Sequence, residues 1–133
     1  MKREVYAKAE ACDFPYETRL QLAGNLANGM IVLKHFTEAK TFLHRIIPTA
    51  LGTLGPSNKR VLCLRGLLGQ ALLMNAGSHS LEEIVEAEKL LTDVYARERR
   101  VYGASHPDTL FTQGVLEDAR AVLEVARRPK TSK

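Results

Sequence analysis

An all-α fold, built from antiparallel helix-turn-helix repeats stacked into a short solenoid, is predicted by three observations. The chain repeats itself: Gly55, Gly66, Leu68 and Ala71 recur 48 residues later as Gly103, Gly114, Leu116 and Ala119, and Glu38-Ala39, Leu43 and Ile46 recur as Glu86-Ala87, Leu91 and Val94. Apolar residues return every three or four positions along most of the chain, the period of an amphipathic helix, with no convincing strand alternation. Gly55 and Gly103 fall between these stretches, at the same place in each copy. A fixed period of about 20–50 residues marks a repeat array, in which one unit buries its apolar face only by stacking on the next.

Each helix has its own local warrant. Thr18 to Leu33 carries Leu22, Leu26, Met30 and Leu33 on one face. A second helix from Thr37 to about Leu51 places Ala39, Leu43, Ile46 and Ala50 together, with Phe36 and Phe42 beside them. Pro48 lies inside it, so a kink or an early end is expected where the ring crowds the carbonyl of His44. The third, Asn58 to Met74, is apolar on more than one side, as a helix buried between neighbours should be. Ser80-Leu81-Glu82-Glu83 then spells a capping box, opening a helix on Ile84, Ala87, Leu91, Val94 and Val101. It ends at Gly103, which suits the left-handed position after a helix. Pro107 fits the first turn of a fifth helix reaching Ala126, since its missing donor costs nothing there.

Going back one unit, Leu20, Leu22, Gly24, Leu26 and Ile31 fall on Leu62, Leu64, Gly66, Leu68 and Leu73 at an offset of 42. A basic period of 42, lengthened by six residues in "NAGSHS" (75–80), accounts for both offsets. Small residues at Ala27, Ala39, Gly69 and Ala87 are expected to let paired helices approach closely.

Composition excludes several classes. With 133 residues and 45% hydrophobic content, one modest core is expected. Cys12 and Cys63 lack the paired short spacing of a zinc site or a disulfide framework, which points to a reducing, cytoplasmic setting. No apolar run spans a membrane. The formal charge of +4 resides in "RRPKTSK" (127–133), a basic tail expected to be disordered; the other 126 residues hold 15 basic and 15 acidic side chains. A neutral body lacks the stripe that phosphate contacts need, so nucleic acid is not an expected partner. No spacing proposes a catalytic residue, a metal site or a cofactor site. His35, His44, His79 and His106 are scattered, and "LGTLGPSNKR" lacks the P-loop's closing Gly-Lys-Ser/Thr. The chain is therefore expected not to be an enzyme.

"NLANGMIVLKHFTEAKTFL" (25–43) and "AEKLLTDVYARERRVYGASHPDTL" (87–110) resemble tetratricopeptide (TPR) repeats of the kinesin-light-chain type, over roughly residues 16–123. The residues carrying the resemblance are Asn25-Leu26-Ala27, Glu38-Ala39, Glu86-Ala87 and the turn Gly103-Ala104-Ser105-His106-Pro107-Asp108-Thr109. Gly24 stands where the family usually has Asn, and the turn after Gly55 lacks His-Pro. The resemblance implies a right-handed α-solenoid of about two full units, 16–55 and 56–103, and a half-unit, 104–126. Residues 1–15 are expected to form a helical remnant or cap. Glu117 and Arg120 stand where apolar residues would meet a further helix, so the fifth helix is expected to cap the array.

The same resemblance implies a protein-interaction adaptor that binds a peptide segment of a partner on the concave face formed by the first helix of each unit. That face would present Gln21, Asn25, Asn28, Arg65, Gln70, Gln113 and Asp118. Asn and Gln offer donors and acceptors to a peptide backbone. A two-sided grip on a terminal carboxylate is not expected, because Gly24 and Gly66 occupy inner positions and Arg65 stands alone. The competing expectation is a structural repeat that acts through self-association or by docking within a larger protein.

Overall fold

The structure is a computed structural model that describes residues 14–75 and 81–127. Among the described residues it is all-α: α1 (Tyr16–Val32), α2 (Phe36–Leu54), α3 (Lys59–Met74), α4 (Leu81–Val101) and α5 (Pro107–Arg127). Consecutive helices pack on one another, α1 also lies against α3, and α3 meets α5 more sparsely. One principal core runs through all five, with Leu43, Leu64, Leu72 and Leu91 among its near-fully buried members. The central helix α3 buries Val61, Leu62, Leu64, Leu68, Gly69, Ala71 and Leu72, as its all-round apolar sequence requires.

The two turns at an offset of 48 are built alike. Gly55 (φ 90°) and Gly103 (φ 98°) both adopt the left-handed conformation after a helix, which glycine enters without a Cβ penalty. The N–H of Gly55 bonds to the Leu51 carbonyl (2.9 Å) and that of Gly103 to the Arg99 carbonyl (3.0 Å). The N–H of Asn58 reaches back to Gly55 (3.4 Å), and that of His106 to Gly103 (3.3 Å). Even the caps correspond. The Asn58 side chain accepts from the Arg60 N–H (2.8 Å), and His106 Nδ1 accepts from the Asp108 N–H (3.0 Å). His106, stacked on Tyr102 with centroids 4.3 Å apart, thus takes the N-terminal role that Asn or Ser usually fills. His-Pro and Ser-Asn are two chemistries for one turn.

Two expectations change. α2 does not stop at Pro48 but continues to Leu54. Pro48 is exposed, so its lost bond frees a carbonyl on the solvent side, while Ala50 and Leu54 beyond it still bury apolar surface. Leu33 and Val101, placed on apolar faces by spacing, are exposed at helix ends. Ser80 of the capping box, residues 1–13 of the remnant expected over 1–15, residues 76–80 of the insertion and residues 128–133 of the tail expected over 127–133 lie outside the described residues; Phe14 and Pro15 precede α1 without helix, and Arg127 ends α5. Glu83, the other half of that box, bonds to Lys40 and Asn75. The Lys40 hydrogen bond holds its carboxyl below the usual range.

The small residues do what was expected of them. Ala27, Ala39 and Ala87 are fully buried. A Cβ added at Gly69 would stand 2.7 Å from Cγ and Cδ2 of Leu91.

Candidate functional site

Glycine recurs at one place in three helices, Gly24 in α1, Gly66 in α3 and Gly114 in α5, and its surroundings differ. A Cβ on Gly24 would meet Cys63 Sγ and Leu64 Cδ2 at 3.8 Å, ordinary contact, so α1 and α3 are closed against each other. A Cβ on Gly66 or on Gly114 would meet nothing within 4 Å. Between α3 and α5 a groove is left open, with a cavity of about 180 Å³.

Three helices line it. On α3 the stripe Cys63, Gly66, Leu67 and Gln70 forms one wall; on α5 the stripe Asp108, Phe111, Thr112 and Val115 forms the other. The floor is α4 and the residue after its end, through Leu91, Glu98 and Tyr102, which are seven and four residues apart. Lys59 lies 5.4 Å from the centre of the Tyr102 ring, at the rim. Most of the exposed lining is apolar, but the floor holds a carboxyl group.

Glu98 is only 5% exposed, and its Oε1 has no hydrogen-bond partner. The Thr112 hydroxyl donates to its carboxylate, while Thr109, also buried, leaves its own Oγ1 unpartnered. Burial pushes the Glu98 carboxyl up, the Thr112 bond pulls it back, and Asp108 adds repulsion; the net direction is upward. The Cys63 thiol is likewise pushed up, first by burial and then by Asp108, and so is the Tyr102 phenol. A raised thiol is held protonated and is a poor nucleophile.

A prediction follows for Glu98. Between the ordinary glutamate range and the raised value, the folded chain keeps a proton that the unfolded chain has released. Stability is therefore lost as pH rises through that window. The groups that line the cavity with Glu98 are Lys59 and Cys63 from α3, Tyr102 just after α4, and Asp108 and Thr112 from α5. Glu98→Gln removes the titrating proton, so the variant is expected to gain on the parent protein as pH rises through that window and then to level off. Urea unfolding across that range measures it; parallel profiles would mean that Glu98 titrates normally.

The seven residues proposed from sequence divide by repeat position. Gln21, Asn25 and Asn28 of α1 correspond, at an offset of 42, to Cys63, Leu67 and Gln70 of α3, and Asp118 corresponds to Gln70 at 48. These share a stripe, and Gln70 lines the groove. Gln21, Asn25 and Asn28 are exposed on α1, where Gln21 Oε1 accepts from Arg60 (3.3 Å). Arg65 and Gln113 correspond to each other but fall off the stripe. Arg65 is paired at 2.7 Å with Asp93, which also binds Arg97 at 2.9 Å. Burial would raise Asp93, but these two guanidinium groups outweigh it and hold its carboxyl down. Arg65 is thus already engaged within the fold.

Elsewhere, Glu117 and Arg120 are exposed on α5, and Arg120 reaches back to Glu88 at 3.3 Å. Leu110, Phe111 and Val125 are exposed on the same helix. A shallow apolar depression lies between the start of α4 and the end of α5, among Leu81, Ile84, Val122 and Val125. Among the described residues no helix is long and apolar enough to cross a membrane, and no group of three or more His, Cys, Asp or Glu is placed to hold a metal ion. Comparison with protein families, with curated proteins and with solved structures finds no match to this chain.

Proposed function

We propose that this chain is a non-enzymatic protein-interaction module, a short TPR-like α-solenoid of the kinesin-light-chain type that holds a peptide segment of a partner protein. The observation that carries this reading is the open α3–α5 groove, whose apolar walls surround a few convergent polar groups, the usual make-up of a recognition site. Its stripe continues in repeat register through Gln21, Asn25 and Asn28 on α1, whose amides suit a peptide backbone. The volume of about 180 Å³ is small beside the roughly 300–1,000 Å³ of small-molecule pockets. It fits one anchoring side chain of a longer ligand better than a metabolite.

The test is selection of displayed random peptides on the full chain, followed by rebinding to Gly66→Trp. Gly66 faces open space, so the indole enters the groove without displacing core. Selected peptides should lose at least about tenfold in affinity, roughly 1.4 kcal/mol; undiminished binding would remove the groove from the reading. A second reading, self-association or docking within a larger protein, is favoured by the depression at Leu81, Ile84 and Val125. Light scattering over a concentration series separates the two, since a mass that rises with concentration and falls back in Val125→Glu supports the second.

A further inference from the structure

The α1–α3 interface and the α3–α5 groove are two copies of one structural position, so each is a control for the other. At an offset of 48, Glu98 takes the place of Ala50, Tyr102 of Leu54, Thr109 of Val61 and Thr112 of Leu64. In the first copy Ala50, Val61 and Leu64 are buried at 0–1% exposure and belong to the core. In the second copy the same places carry a carboxylate and two hydroxyls, all at most 5% exposed, and two of the three have a polar atom with no partner. The fold is satisfied by an apolar set here. An unpartnered buried acceptor costs on the order of 1–3 kcal/mol, more when charged, so the polar set lacks a structural warrant.

We infer that the Glu98 cradle receives the basic side chain of an arginine or lysine from the bound peptide, an assignment that rests on the interaction-module reading. Charge sets the choice of occupant. Glu98 and Asp108 line the cavity, and both act on Cys63 and on Tyr102 against the opposing pull of Arg60, which is not itself among the lining residues, so the described lining carries two acids although the body of the chain is neutral. Lys59, the one cation among the described lining residues, lies over the Tyr102 ring, and Glu98 Oε1 is left without a hydrogen-bond partner. The walls at Leu67, Phe111 and Val115 suit the methylene stem of a long basic side chain, which buries its carbons while the head finds a charge. At the floor, Glu98 Oε1 has no hydrogen-bond partner, and a guanidinium presents several donors in a planar fork. The aromatic ring of Phe111 adds a face that attracts cations.

The test uses an isosteric pair of small probes on the full isotope-labelled chain, read by amide chemical shifts: n-butylguanidinium, which is charged, and n-butylurea, which is neutral. n-Butylguanidinium is expected to shift residues of the three lining stripes saturably, with binding at least tenfold tighter than that of n-butylurea. It should tighten as pH rises through the Glu98 titration. Glu98→Gln should weaken it about tenfold or more while circular dichroism stays unchanged, and Asp93→Asn, outside the groove, should leave it as it was. Equal binding of the two probes, or indifference to Glu98→Gln, would overturn the inference. The two proposals fail separately: selected peptides that bind in the groove without Arg or Lys sink this one alone, whereas charge-dependent probe binding without any selected peptide upholds the cradle and sinks the peptide module.

Discussion

Leu64→Ala is expected to destabilise the chain by about 3 kcal/mol, within the roughly 2–5 kcal/mol range of buried leucine truncations. Leu64 is 1% exposed on α3 and faces Gly24, so its side chain is the surface on which α1 closes. Removing it leaves a void that α1 cannot refill, because glycine has nothing to extend into it. A small domain has only about 5–15 kcal/mol in total, so the loss is a large fraction. Urea unfolding should show a lower midpoint with an unchanged slope, and amide exchange in α1 should rise more than in α5. A cost below about 1 kcal/mol would mean that α1 is held by contacts other than the Leu64–Gly24 seam.

Gly69→Ala should be harmful in a position where helix propensity alone predicts a gain. Alanine is favoured over glycine inside a helix by roughly 1 kcal/mol, but the new Cβ would lie 2.7 Å from two carbons of Leu91. Leu91 is 1% exposed and cannot swing into solvent, so α3 and α4 must separate. Overpacking of this kind costs about 1–3 kcal/mol, and a melting point lower by about 4 °C per kcal/mol is expected. Gly114→Ala is the matched control. It meets nothing within 4 Å and keeps the propensity gain, so its melting point should rise. If Gly69→Ala also raised it, the close approach of α3 to α4 would be wrong.

The helices were legible because their ends are marked by chemistry that tertiary packing does not override: Asn58 before α3, Gly55 and Gly103 after α2 and α4, Pro107 at the start of α5. Pro48 misled because proline interrupts one bond, whereas the apolar residues on either side of it continue the same buried face. The site was less legible for a different reason. The resemblance points to polar residues on first helices, and of those seven Gln70 alone lines the groove. Glu98 lies on a second helix, where a charge in an amphipathic stretch passes for a solvated residue. The signal was nonetheless present, since the 48-residue alignment sets Glu98 against Ala50 and Thr112 against Leu64. What sequence could not convey is that α3 and α5 stand apart while α1 and α3 do not, because the spacing of glycines is the same at both.

The twin turns at Gly55 and Gly103 bear on how this chain could be lengthened. Duplicating residues 56–103 in tandem would join each copy through an unchanged turn, and backbone geometry alone would accept it. Side chains would not, because the helix following the original Glu98 would then bring a valine and a leucine where Thr109 and Thr112 now stand, sealing a carboxylate under aliphatic carbon. The units therefore have a fixed grammar. Their joints are interchangeable, yet their order is not.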